Sequence, residues 1–93
     1  MITSIVMIKC ETGQVQSVVK KLVDVEGVSE VYSVTGEWDV IVVIRVKEFD
    51  LLAPVVSERI SSIQGIAKTV TSLAFRYYSK HGMEKVWVQY IGE

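Results

Sequence analysis

Ninety-three residues suit one small domain built on a single core. Hydrophobic residues make up 49% of the chain, which excludes disorder and implies apolar surface in need of cover. Ten Lys and Arg against eleven Asp and Glu give a net charge of −1, and the longest basic cluster is Lys20-Lys21, so the charge pattern of a direct nucleic-acid binder is missing.

The opening "MITSIVMIKC" sets Ile2, Val6 and Ile8 against Ile5 and Met7, which predicts a first strand with apolar groups on both sides. It carries no charged leader, and no later run approaches the ~18 apolar residues that cross a bilayer. A cytoplasmic protein without membrane contact is expected. The lone cysteine, Cys10, has no internal disulfide partner, in keeping with a reducing compartment. In "TGQVQSVVKKLVDVEG" the residues Val15, Val18, Val19, Leu22 and Val25 draw one apolar stripe at helical spacing. Thr12 is the expected N-cap of this helix and Gly27 its stop.

Next, "VSEVYSVTG" and "WDVIVVIRV" are rich in β-branched and aromatic residues on either side of a turn at Gly36, and they predict a hairpin of strands two and three. Asp50 is placed to cap a second helix carrying Leu52, Val55, Val56, Ile60 and Ile63, with Pro54 in its first turn. "IAKTVTSLAFRYY" predicts a fourth strand after Gly65, and "KVWVQYI" a fifth. Gly27 and Gly65 hold the same place in two similar segments, "VEGVSEVYSV" and "IQGIAKTVTSL". Two β-α-β units on one sheet predict an α+β, ferredoxin-like β-α-β-β-α-β fold with both helices on one face and an extra C-terminal strand. Residues 1–93 are taken as a single domain.

The run Val40 to Ile44 poses a problem for that fold, because it is apolar on both sides while two helices cover only one. Each aliphatic side chain left wet forgoes roughly 1.5 kcal/mol of burial or more. A second copy packed sheet against sheet solves this. Val40, Val42 and Ile44, with Leu73 and Phe75 of the fourth strand, are the expected interface of a two-fold homodimer, dimeric α+β barrel in style.

The stretch "GVSEVYSVTGEWDVIVVIRVKEFDLLAPVVSERISSIQGIAKTVTSLAF" resembles the effector-binding domain of the Lrp/AsnC, or feast/famine, transcription regulators. The likeness rests on the glycine-opened hairpin with Asp39 three residues after Gly36, the helix start at Asp50, and the "G-[IV]-x-x-T-x-T" pattern from Gly65 to Thr71. It implies a dimer, assembled further into a ring of dimers, that binds a small amino acid where dimers meet. Family regulators carry a helix-turn-helix domain ahead of this one, whereas this chain begins at the first strand. It is therefore similar to a stand-alone sensing domain, with full-length Lrp/AsnC regulators as candidate partners.

A free amino acid is a zwitterion, so its pocket needs an acceptor for the ammonium and donors for the carboxylate. By the resemblance, Gly36, Glu37, Trp38 and Asp39 with Thr69 and Thr71 form the effector site. Asp39 would take the ammonium, Trp38 would wall the apolar part, and the turn amides and two hydroxyls would meet the carboxylate. The same residues admit plainer roles. Asp39 and Glu37 can tie the hairpin, Thr69 and Thr71 are ordinary strand formers, and Trp38 suits an interface anchor. No histidine lies near Glu37 and Asp39 to complete an acid-base pair, and His81 stands alone in "SKHGM". One His and one Cys make no metal-binding spacing, and no cofactor is implied. The sequence thus supports a non-enzymatic sensing and assembly module of transcription regulation. The alternative is a small enzyme of the dimeric α+β barrel type, with its pocket between sheet and helices and Tyr32, Tyr77 and Tyr78 as its candidate polar groups.

Overall fold

The structure, a computed structural model, describes residues 1–80. Its elements are β1 (Ile2–Cys10), α1 (Val15–Leu22), β2 (Val28–Ser33), β3 (Val40–Val46), α2 (Pro54–Ile60) and β4 (Ile66–Leu73). The four strands form an antiparallel sheet in the order β2-β3-β1-β4, so each β-α-β unit straddles a strand of the other, as the ferredoxin-like fold requires. The expected fifth strand, "KVWVQYI", lies outside the described residues.

Register decides which face each side chain takes, because directly opposed residues of an antiparallel pair point the same way. Ile8 opposes Val40, Val6 opposes Val42 and Ser4 opposes Ile44. All six are wholly buried, packed with Val18 and Leu22 of α1 and Val55 and Ile60 of α2. Ser4, the buried polar residue of that layer, donates its hydroxyl to the Ser72 carbonyl at 2.8 Å and so is satisfied. Both helices therefore press on one side of the sheet. The opposite side carries Ile5 and Met7 of β1, Ile41 and Val43 of β3, and Val70 of β4, joined by Tyr32 of β2.

This placement corrects the expected interface. Val40, Val42 and Ile44 have no exposed surface even in the single chain, since the helices already cover them. They are core residues and are unavailable to a second sheet. The residues free for such packing are the alternate set, Ile41 and Val43. Leu73 opposes Ser4 and so belongs to the helix side, at the outer strand, half exposed. Phe75 lies beyond the end of β4 with 88% of its surface exposed.

Both helices depart from their expected bounds. In α1 the N-cap position is Gln14, without a side-chain cap. Thr12 is displaced because Gly13 takes φ +78° and the Glu11 amide is drawn to the Gly65 carbonyl at 2.8 Å. The helix ends at Leu22, where Asp24 and Val25 donate to carbonyls only three residues back, so Val25 packs on the core from a tightened turn. Ahead of α2, Phe49–Leu51 form a 3-10 turn that contains Asp50, which therefore caps nothing. The α2 segment is wound with π spacing, and the Ser61 amide reaches back five residues to the Val56 carbonyl at 3.2 Å. The wider turn keeps both Val55 and Ile60 buried.

The strands are shorter than their sequence runs. β2 stops at Ser33 and β3 starts at Val40, because the Val34 amide donates to the Asp39 carbonyl at 3.0 Å and closes the turn early. Trp38 is thus a turn residue, outside the strand. β4 ends at Leu73, where the Ala74 amide makes its final bond to the Thr3 carbonyl at 2.8 Å. The two matching glycines do the same work in the two halves. Gly27, at φ +101°, sits against Val55 of α2, and Gly65, at φ +104°, against Gln14 and Val18 of α1. A Cβ on either would meet those side chains at 3.0 Å or less.

Candidate functional site

The turn between β2 and β3 is held to the end of β1 chiefly through Asp39. Asp39 donates its amide to the Ile8 carbonyl at 2.9 Å, and its carboxylate Oδ2 accepts the Cys10 amide at 2.8 Å. Beside that bond the register of β1 against β4 slips, between Lys9 and Cys10. Irregular pairing of this kind leaves an amide off the regular ladder, and a carboxylate is a strong acceptor for it. Asp39 therefore has a structural duty, the tie that a plain reading of the turn allows. Its carboxylate, however, reaches a different strand, while its carbonyl closes its own hairpin.

Lys9 completes the arrangement. Its Nζ donates to the Glu37 carbonyl at 3.1 Å and lies 4.0 Å from Asp39 Oδ2. That ion pair is partly exposed, with the Lys9 side chain about half open, and a pair of this kind contributes roughly 0–1 kcal/mol. Gly36 takes φ +114°, and nothing lies within 4 Å of where its Cβ would be. The backbone conformation, and not crowding, selects glycine there, and it leaves the turn open to solvent. The ring of Trp38 faces Lys68, whose Nζ stands 5.7 Å from its centroid, a cation-π distance.

The predicted site residues are therefore only partly brought together. Gly36, Glu37, Trp38 and Asp39 form one cluster at the end of the sheet. Thr69 opposes Ile8 and Thr71 opposes Val6, so both belong to the helix side, while Lys9 and Lys68 share the open side. Val40, Ile8 and Thr69 lie in line on three adjacent strands. The turn and Thr69 are thus two strand spacings apart, roughly 10 Å. Lys9 and Lys68, which sequence reasoning passed over, stand beside the turn instead. Both are directly opposed in the β1-β4 register. The signal was their parity along the two strands, and it becomes readable only once that register is known.

The other chemically active groups are quiet. Cys10 is nearly buried, and burial above all, then the Asp39 carboxylate, pushes its thiol up, while Lys9 pulls it slightly back. A raised thiol is a poor nucleophile near neutral pH. Among the described residues no three His, Cys, Asp or Glu side chains gather as a metal site would need. No helix of the described residues is long and apolar enough to cross a membrane. A shallow groove of about 480 Å³ between α1 and β2, lined by Val15, Gln16, Val19, Lys20 and Ser33, contains no carboxylate to receive an ammonium.

An α+β sheet of this topology is also what comparison with known proteins finds. Residues 3–83 match the Lrp/AsnC ligand binding domain. The chain belongs to that family. A crystal structure of TTHA0845 from Thermus thermophilus is similar to this Lrp/AsnC domain with a TM-score of 0.79 and 39% identity, covering 86% of this chain and 100% of that one. The L-Met complex of the transcriptional regulator NMB0573 from Neisseria meningitidis has the same fold, with a TM-score of 0.74 at 11% identity over 84% of this chain and 52% of that one. An uncharacterized HTH-type transcriptional regulator of Pyrococcus furiosus is 32% identical over 60 residues, 64% of this chain and 40% of its own length. Homocitrate synthase of Sulfolobus acidocaldarius is 30% identical over 76 residues, 81% of this chain and 16% of its own. The Lrp/AsnC domain described here thus spans less than half the length of either of these two curated relatives.

Proposed function

We propose that this Lrp/AsnC domain is an amino-acid-sensing and oligomerisation module without catalytic activity. It acts in the cytoplasm, pairs with itself, and modulates transcription through Lrp/AsnC regulators that share its fold. The observation that carries the reading is the polar turn at Gly36 to Asp39, set at the end of an uncovered apolar sheet face, in a chain matched by a ligand-binding family over nearly its whole length. The apolar face gives a reason to pair, and the turn at its margin, with Lys9 of β1 and Lys68 of β4 beside it, offers charged groups of both signs to a zwitterion.

Pairing uses Ile5, Met7, Ile41, Val43 and Val70 in this reading, since these keep part of their surface in the single chain and share one side of the sheet. The homocitrate synthase likeness covers a small part of that enzyme and transfers no activity. The space in which a small α+β barrel enzyme would hold its substrate, between sheet and helices, is filled by Val6, Ile8, Val40, Val42 and Ile44 against both helices. This packing supports a binding role over a catalytic one.

Titration calorimetry against a panel of L-amino acids, run beside light scattering with and without each ligand, tests both halves. Binding of at least one amino acid at or below millimolar concentration, by a particle of two or more chains, is expected. A particle of single-chain mass at micromolar concentration would reject self-assembly, and no heat with any amino acid would reject sensing. Mixed assembly is tested by co-expressing the chain with a full-length Lrp/AsnC regulator and purifying on a tag carried by one of them. Co-elution is expected, and consistently separate elution would count against it.

A further inference from the structure

Two lysines opposed across a pair of strands repel each other and weaken the sheet. Lys9 and Lys68 are such a pair, directly opposed and on the open side. The structure treats their charges differently. Lys9 is occupied by the Glu37 carbonyl and the Asp39 carboxylate. Lys68 has no carboxylate within 4.0 Å among the described residues, and its ammonium is set against the face of Trp38 alone. The face of a partly buried indole attracts a cation electrostatically, and it leaves the ammonium's outward donors open. Asp39 is the complement: Oδ2 is engaged by Cys10, while Oδ1 accepts no hydrogen bond from the described residues.

At one end of the open face there is, then, a cation with no anion beside it among the described residues, held on an aromatic shelf, next to a turn whose carboxylate has a spare oxygen. The hydroxyls expected to meet a ligand carboxylate, those of Thr69 and Thr71, belong to the other side of the sheet. We propose that Lys68, positioned by Trp38, is the group that binds the carboxylate of the effector. The inference rests on the sensing reading and adds to it a specificity residue on β4. It defines the ligand class as carboxylates, free amino acids among them, and disfavours amides and esters of the same side chain.

The test is calorimetry on the full chain, the Lys68→Met and Lys68→Arg variants, and Trp38→Leu, against the amino acid that the parent binds best and against its carboxamide. Circular dichroism and light scattering first check that each variant keeps the parent's fold and mass. Removing a charged hydrogen-bond partner is expected to weaken binding about 10-fold or more in Lys68→Met. Lys68→Arg should keep most of the affinity, and Trp38→Leu should fall between. The parent should prefer acid to carboxamide, whereas Lys68→Met should bind the two alike, an outcome that a merely structural lysine would not produce. Unchanged affinity in Lys68→Met, with the acid still preferred, overturns the role of Lys68 and leaves sensing intact. Failure of the parent itself to bind any amino acid overturns the sensing reading, and this proposal with it.

Discussion

On β3, Val40, Val42 and Ile44 have no exposed surface, whereas Ile41 and Val43, between them in sequence and of the same chemical type, remain partly open. One side of the sheet is a finished core closed by two helices, and the other is an apolar surface edged with charge: Lys9 and Lys68 at one end, Glu30 and Arg45 toward the other. The contrast shows that hydrophobic content alone does not say what a residue is for. The covered side stabilises the chain, and the open side is available to a partner.

Substitution should separate the two sides, most strongly at the covered one. Ile44→Ala leaves a void between sheet and helices and is expected to cost about 2–5 kcal/mol in urea unfolding. Glycine comes next, with a built-in control. Gly27→Ala brings a Cβ to 2.7 Å from Val55 at φ +101°, whereas Gly36→Ala is strained only by its φ of +114° in open space. Gly36→Ala should cost about 1–2 kcal/mol and Gly27→Ala clearly more; equal losses would mean that α2 moves freely against Gly27. Asp39→Ala strands the Cys10 amide, at about 1–3 kcal/mol, and should speed labelling of the Cys10 thiol by a maleimide. Asp39→Asn keeps an acceptor oxygen and should lose less.

On the open side, Ile41→Ser with Val43→Ser should change the folding stability of the single chain by no more than about 1 kcal/mol while lowering the mass seen by light scattering. If that variant unfolds as fully as one cut into the core, the distinction between the faces fails. The smallest effect belongs to the rim. Hydrogen bonds from Tyr32 at 2.7 Å and from Arg45 at 2.9 Å hold Glu30 below the usual 4.5 of a glutamate. A lowered folded-state value adds stability above that pH, which disappears as acid protonates the carboxylate. Glu30→Gln should therefore melt slightly below the parent at neutrality and converge with it as the pH falls below about 4.5; Glu30 is exposed, so the difference will be small.

Much of the fold was legible in the chain. The stripe through Val15, Val18, Val19 and Leu22, the β-branched runs flanking Gly36, and the matched glycines at 27 and 65 each express a local preference or a pattern period, and both are properties of neighbours in sequence. The bounds were less legible. Thr12 and Asp50 carry cap chemistry, yet Gly65 draws the backbone beside Thr12 away, and a 3-10 turn takes in Asp50. The candidate site was half legible: the turn residues are contiguous and were found, while Lys9 and Lys68 are separated by most of the chain and meet only through strand pairing.

By itself, then, the sequence determined the element types and their order, the two-fold repeat, and the apolar character of both sides of β3, because periodicity and composition act over a few residues. Only the tertiary structure decided which side the helices take, that Val40, Val42 and Ile44 belong inside, and that Lys68 stands by Trp38 while Thr69 and Thr71 turn away. Strand register carries that information. A shift of one residue would exchange the two faces, and what selects the register is the sum of contacts across the whole sheet, which no single stretch of chain contains.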